Sequence, residues 1–382
     1  MKSKKGSKYF LSMFFWIYVL IISIPCKQYA QVNQDFNIQL LLDYNSAEQC
    51  IALYEDQFVN TQIIASTRGN RIAASTTGLI SNNQNVESSL INFLDSLKYH
   101  QSIQNDIYHL EDARKSVNEI KELLTELKTR NFNQKVVATV EQIFPQDAKL
   151  SLTIPVYVVA LGHENVDAYV RRIIWFGDRP QFVGEGQGEL TIIINLAHSV
   201  KYGTDVQERF ISLLGVVAHE VFHAAFSEYK KNSLPWKKFY EEHQTHFDVL
   251  LDLTHNEGIA YYLSLEQQGG GKIPRDFFKN TLEAFNTFNV NASELLSKSI
   301  TNKRARELIQ NANLSGYSQN YGAMTGMFMA REIDKRLGRS ALIESISLNP
   351  YAFFKKYLKI AENDNNLPNF TNLIKNKILS EE

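Results

Sequence analysis

Within residues 216–226, VVAHEVFHAAF, two histidines stand four positions apart with a glutamate directly after the first. On a helix that interval puts both imidazoles on one side, one turn apart, where each can offer a nitrogen to a single ion about 2 Å away. Glu220 is poorly placed to ligate the same ion. Its carboxylate can instead reach a water bound to the ion, take a proton as that water attacks a carbonyl, and return a proton to the leaving amine. His-Glu-x-x-His on a helix is the pattern that carries these roles for zinc. The competing reading is a chance string. It has to explain two ionisable rings and a carboxylate in an apolar helix, where they cost free energy unless partnered.

A catalytic zinc site takes three protein ligands and keeps one open position. The continuation His-x-x-Gly-x-x-His is absent, because Phe226 and Tyr229 stand where glycine and histidine would fall. The next candidate is Glu257 in LLDLTHNEGIAYYLSLEQ (250–267), which reads as a second helix. Rival ligands are His255, the pair His243 and His246 in a strongly polar stretch, and His198. For the pair the competing reading is a solvated face.

HEVFH followed by NEGIAYYLS (219–264) resembles the gluzincin metallopeptidases, in which a glutamate on a later helix completes the zinc site. The Asn-Glu-Gly-x-Ala string is most similar to the zinc aminopeptidase branch, with a longer gap here, and the whole is similar to a bacterial family of zinc-dependent peptidases. The resemblance implies a zincin-like core with one zinc ion on His219, His223 and Glu257, and Glu220 as general base and acid. It also implies that GELTIIINLAHS (188–199) is an edge strand binding the substrate backbone by strand addition. Tyr321, before a helix bearing Gly322 and Gly326, resembles a tyrosine of the aminopeptidase branch that stabilises the oxyanion. The two glycines would allow that helix to pack closely on a neighbour. An ordinary buried tyrosine is the competing reading. Two departures stand out. Thermolysin-like members carry an aspartate four residues after the ligand glutamate, where this chain has Tyr261, so the partner of a ligand histidine must come from elsewhere. The Gly-x-Met-Glu-Asn string of the aminopeptidases is absent, which disfavours that specificity.

The elements that must hold these residues follow from the pattern. Residues 31–146 read as helical: NSAEQCIALYEDQF opens with Ser46 and Gln49 in capping-box spacing, and SSLINFLDSLKYH and DARKSVNEIKELLTELKTRNF continue with apolar residues at intervals of three and four. Residues 66–85, rich in Gly, Ser, Thr and Asn, read as an irregular connection. LSLTIPVYVVAL, RRIIWFGD and ELTIIINLA are β-branched and apolar, and predict strands; the glycines of FVGEGQGE supply a turn. Helices return from about residue 205, with QQGGGKIP (267–274) as a break. The fold class expected is α+β, mainly α-helical, with a small mixed sheet before the active-site helix and a helical C-terminal part. The divisions expected are a signal peptide (1–30), a helical N-terminal region (31–146), the catalytic core (147–270) and a helical C-terminal region (271–382).

The 382 residues are 44% hydrophobic and 21% charged with a formal net charge of −1, so nothing in the balance points to a nucleic-acid partner. The cysteines are Cys26 and Cys50. They cannot supply a disulfide framework or a thiolate zinc site, so a metal must rest on His, Asp or Glu. Lys2, Lys4, Lys5 and Lys8 precede an apolar run over 9–24 and a small residue, Ala30, which is an export signal cut after Ala30. The chain is then periplasmic or secreted. It meets a membrane only if that segment is retained as an anchor or Cys26 is lipidated, for which the preceding Pro25 is a poor context. The function expected is an exported zinc metallopeptidase acting on a peptide or protein substrate. The alternatives are a non-catalytic binding or scaffold protein on the same fold, and an assembly or adhesion module centred on the N-terminal helices.

Overall fold

Strands β1 (Phe36–Asp43), β2 (Leu150–Val159), β3 (Ala168–Phe176), β4 (Arg179–Phe182) and β5 (Glu189–Asn195) form one sheet in the order β1-β2-β5-β3-β4. β1, β2 and β5 run parallel, and β3 is antiparallel to both β5 and β4. This computed structural model describes residues 35–82, 85–163, 168–184, 186–267, 276–313 and 320–381. The expected export signal with Cys26 and most of the break at 267–274 lie outside them. Residues Gln34–Glu382 group as one unit.

The N-terminal helices are α1 (Asn45–Tyr54), α2 (Thr61–Ser66), α3 (Arg68–Ile80), α4 (Val86–Lys98), α5 (Leu110–Lys115), α6 (Val117–Thr129) and α7 (Phe132–Glu141). Among them is the first correction: residues 36–43, expected to be helical, form strand β1. FNIQLLLD alternates strictly, burying Phe36, Ile38 and Leu40 and exposing the residues between. That is the two-residue period of a half-covered strand. Phe36 meets Phe144, just after α7, at 5.5 Å between ring centroids. The N-terminal region therefore shares its sheet with the expected core.

The second correction is at 66–85, where α3 stands in place of an irregular connection. Two of its buried polar side chains bond to backbone carbonyls: Asn70 donates to Ile64 at 3.0 Å and Thr77 to Ala73 at 2.9 Å. A side chain at Gly69 would lie 2.6 Å from Ser46 Oγ and 2.9 Å from Val159 Cγ1, so glycine here serves close packing on the sheet. The capping box also fails: Ser46 Oγ donates to Thr67 Oγ1 at 2.9 Å, and α1 begins without a side-chain cap.

The third correction concerns β5, expected at an edge. It lies between β2 and β3, and Thr191 through Asn195 are all buried. An unbroken apolar run marks a strand covered on both faces; the edges are β1 and the short β4. β4 carries Pro180, which has no N–H to give a ladder. Substrate alignment along 189–195 is therefore not available.

After β5 come α8 (Leu196–Ser199) and the long α9 (Val206–Asn232), then α10 (Leu234–Glu242) and α11 (His246–Gln267). α1 and α3 cover β2 on one face of the sheet; α7 and α9 pack on the other, where Phe144 meets Phe222 at 5.7 Å. α12 (Phe277–Leu295), α13 (Asn302–Asn311), α14 (Tyr321–Leu337), α15 (Arg339–Ser347), α16 (Pro350–Ala361) and α17 (Asn372–Ser380) complete the chain. They gather around aromatic contacts such as Phe285 with Phe328 at 5.8 Å and with Phe370 at 5.3 Å. The architecture is α+β and mainly helical, as the texture of the sequence predicts.

Candidate metal centre

Helix α9 is started by Asp205, whose carboxylate accepts from the Glu208 N–H at 2.8 Å, while Glu208 accepts in return from Thr204 N. Phe210, Leu213, Val217, Val221 and Ala225 are buried in a stripe that fixes its rotation. His219 and His223 consequently face α11. The two helices lie close: Ser264 of α11 donates to the Gly215 carbonyl at 2.9 Å, and a side chain at Gly215 would stand 3.3 Å from the Ser264 carbonyl oxygen.

α11 is in turn held by α14 at a glycine crossing. A Cβ at Gly258 would fall 2.3 Å from the Gly326 carbonyl carbon, and one at Gly326 would fall 2.0 Å from the Thr254 carbonyl oxygen. Of Gly322 and Gly326, read as a close-packing pair, Gly326 finds its neighbour in α11, while Gly322 meets Ala312, just after α13, and the Leu253 side chain. The residue ahead of Gly258 is Glu257, so this backbone contact determines where its carboxylate lies.

The three side chains converge. His219 Nε2 and His223 Nε2 are 3.0 Å apart, and Glu257 Oε2 lies 3.7 Å and 3.3 Å from them. Among the described residues this is the one group of three or more His, Cys, Asp or Glu able to share an ion, with all ligand atoms within 4.8 Å. Each member is also held from behind. His223 Nδ1 lies 3.1 Å from Asn256 Oδ1, His219 hydrogen-bonds the backbone carbonyl of Ala260, and Asn313 Nδ2 donates to Glu257 Oε1 at 2.7 Å. Acceptors behind both rings hold hydrogens on their outer nitrogens, so the inner nitrogens face Glu257 Oε2. Three acceptors meeting at one point repel unless a proton or a metal cation sits between them. The donor set fits a divalent ion of the zinc type: two imidazoles, one carboxylate and outer partners that orient them.

The same geometry perturbs the ionisation of the group. Burial lowers His219, and the positive charge of His223 adds to this, bringing it to about 3. Burial also works against a charge on His223, but the Glu257 carboxylate more than offsets it and raises His223 to about 9. Glu257 is raised by burial and then carried below its usual value by His223. Without a metal, the group holds one proton on His223, paired with Glu257.

Glu220 is partly buried on the same helical turn, outside the ligand trio, and its charge acts on His223 and on Arg171 of β3. Tyr321 is not brought to this group. It is buried at the start of α14, and its hydroxyl donates to the Leu308 carbonyl at 2.8 Å. The tyrosine at the centre is Tyr261, whose ring stands edge-on to His219 at 4.6 Å and whose hydroxyl accepts from Asn320 Nδ2 at 3.3 Å. The aspartate missing at that position is answered by the Ala260 carbonyl one residue earlier.

The rival histidines are placed elsewhere. His255 is fully buried between Trp236 and Phe353, with ring centroids 5.8 Å and 4.6 Å away. His243 is not on a solvated face: it stacks on Phe239 at 5.1 Å and approaches Asp248 at 3.7 Å, while His246 faces Asn302 at 3.2 Å. His198 packs against Tyr202 at 5.7 Å. Three holding groups were not anticipated: Asn256, the Ala260 carbonyl and Asn313. Asn256 and Ala260 had a signal, since they flank Glu257 by one and three positions. Asn313 had none.

A family model described as "Putative zinc dependent peptidase (DUF5700)" matches residues 38–366. No curated protein and no solved structure matches the chain.

Proposed function

The chain belongs to this family of zinc dependent peptidases, and on that premise we propose that it is an exported metallopeptidase of the gluzincin type, with Glu220 as the proton-transferring residue. The observation that carries the reading is the convergence of His219, His223 and Glu257 from two helices, each with its own outer partner. Zinc held there would supply Lewis-acid polarisation of a peptide carbonyl and a water acidic enough to act near neutral pH.

The side chains divide the remaining work. The Asn256 amide and the Ala260 carbonyl orient the two rings, and Asn313 holds one oxygen of Glu257 so that the other turns inward. Glu220, outside the ligand trio, accepts a proton on its carboxylate from the attacking water and passes a proton to the departing amine nitrogen. Glu220 follows His219 directly on α9, and its charge reaches His223.

Zinc content and peptide hydrolysis of the protein, with Glu257→Ala and Glu220→Gln variants, test the reading. One zinc per chain is expected in the parent and in Glu220→Gln, strongly weakened binding in Glu257→Ala, and hydrolysis in the parent alone. Unchanged hydrolysis in Glu220→Gln would remove the mechanism; a parent that binds no zinc would remove the whole reading.

A further inference from the structure

A cavity of about 830 Å³ opens on one side of the metal centre, between α10, the part of α9 that follows His223, and the face of α11 leading to Glu257. Asn256 and Glu257 are part of its wall, so it reaches the metal centre on the side of the glutamate ligand. Ser227 and Lys230 line it one and two turns beyond His223. At 1.5 Å of rise per residue, the Lys230 end lies roughly 10 Å from His223 along α9, a depth that suits one large side chain.

The charges around this cavity decide what it can hold. Asp252 is occupied on both oxygens, by Lys230 and by the Tyr240 hydroxyl at 2.8 Å. Lys230 is further enclosed by the rings of Phe226 and Trp236, each 4.3 Å from its nitrogen. Asp248 accepts from Tyr351 at 2.5 Å and from Thr245 Oγ1 at 2.6 Å. Lys231 pairs with Glu228 at 3.1 Å. Of the other ionisable lining residues, His243 stacks on Phe239 and faces Asp248, Glu257 belongs to the ligand group, and Lys237 and Glu241 are exposed, opposite in sign and one turn apart on α10. An ionised group entering the interior would give up hydration and meet no free counter-charge. Apolar surface, by contrast, is on offer: Val249 is 46% exposed and Tyr240 44% exposed, and both line the cavity. On α11 the apolar neighbours Phe247, Leu250 and Leu251 are all buried, so Val249 stands out.

We propose that this cavity receives an uncharged, apolar side chain of the substrate beside the bond to be cleaved, with Val249 and Tyr240 as its specificity-determining walls. The inference rests on the peptidase reading and names the substrate class for that site.

Two measurements on the zinc-loaded full chain test it. The first is hydrolysis of peptides identical except for one residue, set in turn to Leu, Phe, Asp or Lys on either side of the cleaved bond. The second is calorimetric binding of glycyl-phenylalanine and glycyl-aspartate, which needs no turnover. At one of the two positions Leu and Phe are expected to exceed Asp and Lys by about tenfold or more in kcat/KM. Val249→Asp erases that preference and weakens glycyl-phenylalanine by about tenfold, with zinc content and Tm unchanged, because the side chain is exposed. Val249→Trp narrows the cavity and shifts the preference to smaller residues. Apolar binding that responds to Val249 without any hydrolysis would keep the pocket and overturn the peptidase reading. Hydrolysis indifferent to residue type and to Val249 would overturn the pocket and keep the peptidase. Neither hydrolysis nor binding would overturn both.

Discussion

Gly326→Ala is a perturbation of the metal centre from behind, through a residue with no chemistry of its own. The added Cβ would stand 2.0 Å from the Thr254 carbonyl oxygen, 2.8 Å from Gly258 Cα and 3.0 Å from the Thr254 carbonyl carbon. All three are backbone atoms, so no side chain can swing aside. Carbon contacts become favourable at about 3.5 Å, so α11 and α14 must part by roughly 1 Å or more. Overpacking of this kind costs about 1–3 kcal/mol, and rigid backbone on both sides places this case at the upper end. Alanine returns about 1 kcal/mol through its better helix propensity. The expected net loss is about 1–2 kcal/mol. The larger effect is on Glu257, next to Gly258: a shift of that size spoils a coordination distance near 2 Å, and zinc affinity should fall by about tenfold or more. Thermal unfolding with and without zinc, together with chelator competition, reads both quantities. Gly184→Ala is the control, since nothing lies within 4 Å of its added Cβ. If Gly326→Ala leaves both Tm and zinc affinity as they are, the glycine crossing does not position Glu257 and the argument is wrong.

Zinc binding should strengthen with pH. His223, raised to about 9 by Glu257, must release its proton to ligate, so affinity is expected to climb about tenfold per unit from pH 7 to 9; a flat profile would refute the shared proton. In the metal-free protein the raised His223 contributes stability that is present below its ordinary value of 6.5 and lost as pH rises through about 9. His219, lowered to about 3, acts oppositely, withdrawing stability as pH falls from 6.5 toward 3, so urea titrations across both windows should show the two slopes. Asn256→Ala and Asn313→Ala each remove an outer partner and should lower zinc affinity by about 10- to 100-fold, measured by competition, with secondary structure by circular dichroism intact. Asp252→Ala leaves the buried Lys230 ammonium without its counter-charge, for an expected loss of about 3–5 kcal/mol in urea unfolding; a loss below 1 kcal/mol would mean the pair is solvated.

Local spacing determined the part of the site that lies within one turn of helix. His219, Glu220 and His223 are related by the 3.6-residue period alone, so their arrangement on α9 follows wherever that helix packs. Period and composition likewise marked the strands and the helical majority. Where local texture misled, tertiary contacts had overridden it: the Gly- and Thr-rich α3 is a helix because it packs closely on the sheet and on α4, and β1 is a strand because β2 lies beside it. β5 shows the reverse, since its unbroken isoleucines already described an interior strand.

The third ligand, its rivals and the supporting shell were beyond any local rule. Glu257 was singled out from His255 and His243 only by the resemblance of NEGIAYYLS; physically, the crossing of α11 over α9 separates an inward carboxylate from an imidazole stacked in the core. Tyr321 and Tyr261 exchange places for the same reason: a hydroxyl finds whichever acceptor the packing brings to it. Asn313 reaches Glu257 from 56 positions away. The sequence by itself determined which atoms could bind an ion; the close approach of α11 and α14 at two glycines decided that three of them stand together, because convergence is a property of distances between helices, and no periodicity within one helix encodes it.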